Sequence, residues 1–231
     1  MDTTLGRIRL SEQIEEAILK AIRTGEYAAG SKLPSERTLM EMFNVGRPSV
    51  KEALLMLERK GFVRLKRGAA PIVMAPTPGS AMDAITDMVQ AMLANASHRS
   101  DFYDLRVMLE TFAASEAARS RNDDDVAIMR AALSACGAAK GHAKAFRDAD
   151  QAFHHSLMGV QQNAVAKALH GSLIEWGLYN PELGPGLESI HARVIAQHDA
   201  IVEAIECRDP AAAADAVRTH LLTRKDAPQA S

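Results

Sequence analysis

Residues 33–63 read LPSERTLMEMFNVGRPSVKEALLMLERKGFV, and this stretch decides the N-terminal fold. It parses into two short amphipathic helices around a tight turn. The first runs from about Ser35 to Phe43, with Ser35 as N-cap. The turn is Asn44-Val45-Gly46. The second helix starts near Arg47, with Gly46 at its cap and Pro48 in the first turn, where a missing N–H costs little. Val50, Ala53, Leu54 and Leu57 then fall at i, i+3, i+4 and i+7, a single apolar face. Arg47 and Lys51 sit one helical turn apart on another face, with Ser49 between them. A helix-turn-helix offers cations to the DNA major groove in this way.

The flanks extend the unit. Leu10 to Arg23 reads as a helix with Ile14, Ile18 and Ile22 on one stripe. Gly61 is a helix stop. Phe62–Lys66 and Pro71–Met74 read as two short strands around a basic tip, Lys66-Arg67-Gly68. Three helices followed by a β-hairpin make a winged helix-turn-helix.

Residues 10–75 resemble the DNA-binding domain of the GntR superfamily of bacterial regulators. The resemblance is carried by GSKLPSERTLMEMFNVGRPSVKEAL and LERKGFVRLKRG. The FNVGRPSV wording looks most like the repressors of sialic-acid catabolism. The resemblance implies DNA contacts from Arg37, Arg47, Ser49 and Lys51, and from Lys66, Arg67 and Gly68 at the wing. The wing departs from the family pattern: it reads Gly68-Ala69-Ala70-Pro71 where two glycines usually flank a small residue.

The whole chain has 231 residues, of which 47% are hydrophobic, which suits two domains or one large one. No apolar run approaches the roughly 20 residues of a membrane helix. Met1–Arg9 is polar and is not followed by the apolar stretch of a signal peptide. Two cysteines, Cys136 and Cys207, do not make a disulfide framework. These features predict a cytoplasmic protein. The net charge of −2 hides an asymmetry. Residues 1–75 hold 13 Lys+Arg against 9 Asp+Glu, a net +4; residues 76–231 hold 14 against 20, a net −6. A basic N-terminal module therefore precedes an acidic one.

Ala75-Pro76-Thr77-Pro78-Gly79-Ser80 reads as a linker, which divides the chain into a reader at 1–74 and a helical domain at 81–231. Beyond the linker the pattern predicts helices near 81–95, 100–120, 123–138, 143–159, 162–179, 187–207 and 210–224. Asn122 and Asp209-Pro210 are helix starts. Asn180-Pro181 and Gly184-Pro185-Gly186 mark one long loop. The fold class predicted is mainly α. This half resembles the FCD effector-binding domain of the FadR branch, on FYDLRVMLE (102–110), DQAFHHSL (150–157) and QHDAIVEAIECRDPAAAADAVRTHL (197–221).

Asp150 and His154, at i and i+4, share one helix face; His198 and His220 lie on the last two helices. The FCD resemblance implies that these four bind a divalent metal, zinc first, with nickel and manganese as alternatives. Without it, an Asp–His pair at that spacing reads first as a surface pair. Arg106, in LRVMLE, suits bidentate capture of an effector carboxylate; its alternative partner is Glu110 at i+4. Trp176 is a candidate wall of the effector pocket or plain core. His191 shares a face with His198 and is a further effector candidate, whereas His155 points about 100° away from His154.

The resemblance thus implies a homodimeric, effector-responsive repressor acting on a pseudopalindromic operator, with a small carboxylate or sugar acid as effector. The competing readings are a direct metal sensor and a metal-dependent hydrolase. The chain lacks HExxH, a nucleophile elbow and a glycine-rich phosphate loop, which argues against an enzyme.

Overall fold

In the computed structural model, residues 9–178 and 186–225 are described. They form two compact units, divided between Ile85 and Thr86. The first contains α1 (Leu10–Arg23), α2 (Glu36–Phe43), α3 (Arg47–Arg59), β1 (Val63–Arg64) and β2 (Ile72–Val73). Local chemistry sets each boundary. Ser35 accepts the Thr38 backbone N–H at 3.2 Å and opens α2. Asn44 closes it in the left-handed region, at φ 50°, a conformation that asparagine tolerates better than most residues. Gly46 then caps α3, with Pro48 in its first turn. Gly61, at φ 75°, follows α3. Its N–H donates to Glu58 at 2.9 Å. Ile14, Ile18, Leu39, Val50, Leu54 and Leu57 form the core, joined by Val63 and Val73 from the hairpin.

The hairpin is antiparallel, with Val63 opposite Val73 and Arg64 opposite Ile72. Its strands are shorter than the sequence predicts. Pro71 has no N–H to add to the ladder, and Gly68 turns the tip at φ 74°. The residues before α2 compensate on the outer edge. Gly30 N–H donates to Val73 O and Leu33 N–H to Pro71 O, both at 2.8 Å. The sequence pattern does not show this third strip.

The expected linker is shorter than 75–80. Helix α4 (Pro78–Leu93) already includes Pro78, Gly79 and Ser80. Thr77 acts as its cap: Thr77 Oγ1 accepts the Ser80 N–H at 3.1 Å, and Ser80 Oγ accepts the Thr77 N–H at 2.9 Å. Proline in a first helical turn is an initiator rather than an extended spacer.

The second unit is helical: α5 (Ala96–Ser120), α6 (Asp123–Ala138), α7 (Ala143–Gly159), α8 (Ala164–Leu173), α9 (Leu187–Glu206) and α10 (Pro210–Lys225). Asn122 and Asp125 form a reciprocal capping box. Asp209 accepts the N–H groups of Ala211 and Ala212. Asn163 caps α8 in the same manner, so that helix starts after 162. Past Leu173 it widens into a π-helical turn, Ile174–Leu178, which Gly177 breaks at φ 84°. The predicted loop at Asn180-Pro181 and Gly184-Pro185 lies outside the described residues; Gly186, at φ 88°, starts α9. Phe153, Leu157, Ile201, Ile205, Val217 and Leu221 are central to the bundle core.

Candidate metal centre and nucleic-acid face

The bundle core contains charge. On α5 the buried stripe is Tyr103, Arg106, Glu110, Ala113, Ala114 and Ala117, so helical periodicity carries an arginine and a glutamate inward. On α7 the buried stripe carries Asp150, Phe153, His154 and Leu157. His198 on α9 and His220 on α10 are also fully buried. The four predicted metal-ligating residues converge: one donor atom from each of Asp150, His154, His198 and His220 lies within 4.8 Å of the others.

Donor chemistry tests whether the group fits a cation. His198 Nε2 is 3.3 Å from His220 Nε2 and 3.5 Å from Asp150 Oδ1. His154 Nε2 is 3.7 Å from Asp150 Oδ2 and has no hydrogen-bond partner. The outer nitrogens of His154 and His220 are occupied. His154 Nδ1 donates to Glu110 Oε2 at 2.5 Å, and His220 Nδ1 donates to Gln197 Oε1 at 2.9 Å. A proton on the outer nitrogen of each of these two rings leaves its inner nitrogen as a lone pair. Histidine metal ligands are oriented by such outer partners. Phe153 stacks on His198 at 3.8 Å between ring centres and fixes that ring too. Three imidazoles and a carboxylate at these separations suit a divalent ion of the zinc, nickel or manganese kind.

Glu110, which the sequence marks only as an alternative partner of Arg106, is the hub of this core. The pair does form, but in the interior: Arg106 Nε donates to Glu110 Oε1 at 2.6 Å, with side chains 3% and 0% exposed. His170, equally buried, donates from Nε2 to the same oxygen at 3.0 Å. Burial pushes the Glu110 carboxyl up, but Arg106, the charge and hydrogen bond of His154, and His170 together hold it well below the usual value. It is therefore a carboxylate that accepts from three side chains. The signal for Glu110 was present in sequence, since it lies on the same helical face as Tyr103 and Arg106. His170 had no comparable signal.

The other two predicted effector residues do not join the four donors. Trp176 donates from Nε1 to Thr86 Oγ1 at 3.1 Å and meets Phe102 edge-on. It borders a cavity of about 290 Å³ with Gln90 and Arg99, whose lining includes none of the four. His191 stacks on Phe146 at 3.6 Å, and its Nδ1 accepts the Gly141 N–H at 3.0 Å. His155 is turned outward, as expected, and donates from Nδ1 to Gln151 O at 2.8 Å.

On the first unit the predicted contact residues are at the surface. Arg37, Arg47, Lys51, Lys66, Arg67 and Gly68 are exposed and Ser49 is half-buried. Arg47 Nε donates to Glu36 Oε2 at 3.1 Å, which sets the direction of its guanidinium. Arg37 and Glu41 pair more loosely, at 3.9 Å.

The family model for bacterial regulatory proteins of the gntR family matches residues 10–73, and the FCD domain matches 101–223. The chain is 36% identical over 219 residues to the "HTH-type transcriptional repressor NanR" of Citrobacter rodentium, covering 94% of this chain and 84% of that one. The protein of the same name from Cronobacter sakazakii is also 36% identical, with the same coverage. Among solved structures, a GntR protein of Streptococcus agalactiae shares the fold, with a TM-score of 0.58 and 23% identity, over 94% of this chain and 100% of that one. No helix among the described residues is long and apolar enough to cross a membrane. The chain belongs to the gntR family of bacterial regulatory proteins, in the group whose helical half is an FCD domain, and it is a ligand-responsive DNA-binding transcription regulator rather than an enzyme.

Proposed function

We propose that the protein is a cytoplasmic, homodimeric repressor of an operon for the catabolism of a small carboxylate or sugar acid, with sialic acid the first candidate effector. The observation that carries this reading is the buried quartet Asp150, His154, His198 and His220, with Glu110 and Gln197 orienting two of its rings. A dry group of lone pairs held this way is organised for a cation, and zinc is the first choice. When bound, the ion supplies a Lewis-acidic attraction for a carboxylate. Arg106, fixed through Nε by Glu110, adds a guanidinium that pairs with the same acid.

Arg47, Ser49 and Lys51 at the start of α3 enter the major groove of a half-site. Arg37 holds the backbone, and Lys66, Arg67 and Gly68 reach the flanking groove. Two copies read the two halves of a pseudopalindromic operator. The effector relieves repression only to the extent that it binds the DNA-free arrangement more tightly than the DNA-bound one.

The test is a thermal-shift screen of zinc-loaded protein against sialic acid and sugar acids, repeated after chelation and on His198→Ala. A ligand specific for the folded state raises Tm. The expected result is a shift in the zinc-loaded wild type only, with the same acid releasing operator DNA. A shift on metal alone, with no acid effective, overturns the effector reading in favour of a metal sensor.

A further inference from the structure

Helix α5 has a second face that the metal centre does not use. Met108 and Phe112 project there, 61% and 60% exposed. They flank a recess of about 520 Å³ between α5 and α10, shared with Ser115, Arg119, Ala214 and Arg218. Large apolar side chains clustered at a recess mark an interaction surface more often than an ordinary one.

The spacing of charge on this face says what covers it. At 100° per residue, Asp101, Met108, Phe112 and Arg119 fall within an arc of about 40°. All four are exposed. They are also symmetric about the level of residue 110. Met108 and Phe112 lie about 3 Å along the axis on either side of it, and Asp101 and Arg119 about 13.5 Å on either side. Leu105 and Ser115 repeat the symmetry between them. An isologous interface requires a surface complementary to itself. When this stripe is met antiparallel by its own copy, Phe112 packs on the second copy's Met108, and Asp101 faces the second copy's Arg119. A parallel approach stacks like charge on like.

We propose that two α5 helices pack antiparallel across a two-fold axis near residue 110, so that this face is the docking surface for a second copy of the chain. The crossing is the shallow one, about 20°, that keeps charges far from the axis in reach of each other. This rests on the homodimer of the proposed function and names the surface that builds it.

Sedimentation velocity on the full chain without DNA tests it, with circular dichroism and bound zinc as controls for folding. Wild type is expected to be a dimer at micromolar concentration. Phe112→Asp should weaken self-association by at least ~100-fold, the effect of losing an interface hot spot, with helicity and zinc unchanged. Asp101→Arg and Arg119→Asp should each weaken the dimer, and the double variant should recover most of the loss. Phe112→Asp dimerising like wild type overturns the proposal. A double variant no better than the singles overturns the antiparallel register. A monomeric wild type that still binds operator DNA overturns the docking surface while leaving the regulator reading standing.

Discussion

Two arginine–glutamate pairs, one in each half of the chain, differ in little except water. In the reader, Arg47 and Glu36 meet at 3.1 Å with side chains 73% and 41% exposed. In the helical domain, Arg106 and Glu110 meet at 2.6 Å with 3% and 0% exposed. The exposed pair contributes about 0–1 kcal/mol, and solvent screens it. Its guanidinium can exchange that carboxylate for another anion at little cost, which suits the DNA-contact role proposed for Arg47. The buried pair cannot be opened so freely, because each charge has left water and depends on its partner. It serves to hold other groups, and Glu110 holds His154 and His170 as well as Arg106. The same two residue types thus make a replaceable contact in one domain and a fixed scaffold in the other.

The sharpest way to break that contrast is to remove the acid from each pair. Glu110→Ala leaves Arg106 buried without this partner and should cost about 3–5 kcal/mol in chemical denaturation of the metal-free protein. Glu36→Ala should change stability by less than about 0.5 kcal/mol. Equal losses would mean that burial does not separate the two pairs. The next largest effect belongs to the reader. Arg47→Ala should lower operator affinity by about 1–3 kcal/mol, the value of one bidentate base contact, with an unchanged melting temperature. Lys51→Ala should instead reduce the slope of log affinity against log salt by about 0.9, one phosphate's worth. Normal operator binding by Arg47→Ala, measured by fluorescence anisotropy, would remove α3 from the groove.

The contrast also explains what could be read from sequence. The reader was legible almost residue by residue, because its helices are short and marked by Ser35, Asn44, Gly46 and Gly61, each with a local job. The start of α4 is less legible, because Pro78 is ambiguous between an extended spacer and a helix initiator, and only the Thr77–Ser80 bonds decide it. In the helical domain the four clustered donors were placed through their motif positions. Their outer partners were not, since Gln197 meets His220, and Glu110 meets His154, only through packing of separate helices. Glu110 was visible on the α5 wheel, but a charged residue four places from an arginine invites the surface reading first.

If solvent rather than domain sets the difference, a half-exposed pair inside the helical domain should behave like those of the reader. Arg130 on α6 supplies the test. Its Nε and Nη2 donate to both oxygens of Glu206 at 2.8 and 2.5 Å, and its Nη1 reaches Asp199. The side chains of Arg130 and Glu206 are 38% and 33% exposed. The hydrogen bond from Arg130 holds the Glu206 carboxyl below its usual value, against the opposing effect of burial. A carboxyl lowered by folding contributes stability that is fully present above its unfolded pKa, about 4.3, and is lost as pH falls through the lower folded value. Glu206→Gln should therefore be less stable than wild type by about 0.2–1 kcal/mol at neutral pH. That gap should hold down to the ordinary carboxyl range and close below it in acid titrations of unfolding. A gap of several kcal/mol at neutral pH would place this pair with Arg106 and Glu110, and the dividing line would then follow the domain rather than the solvent.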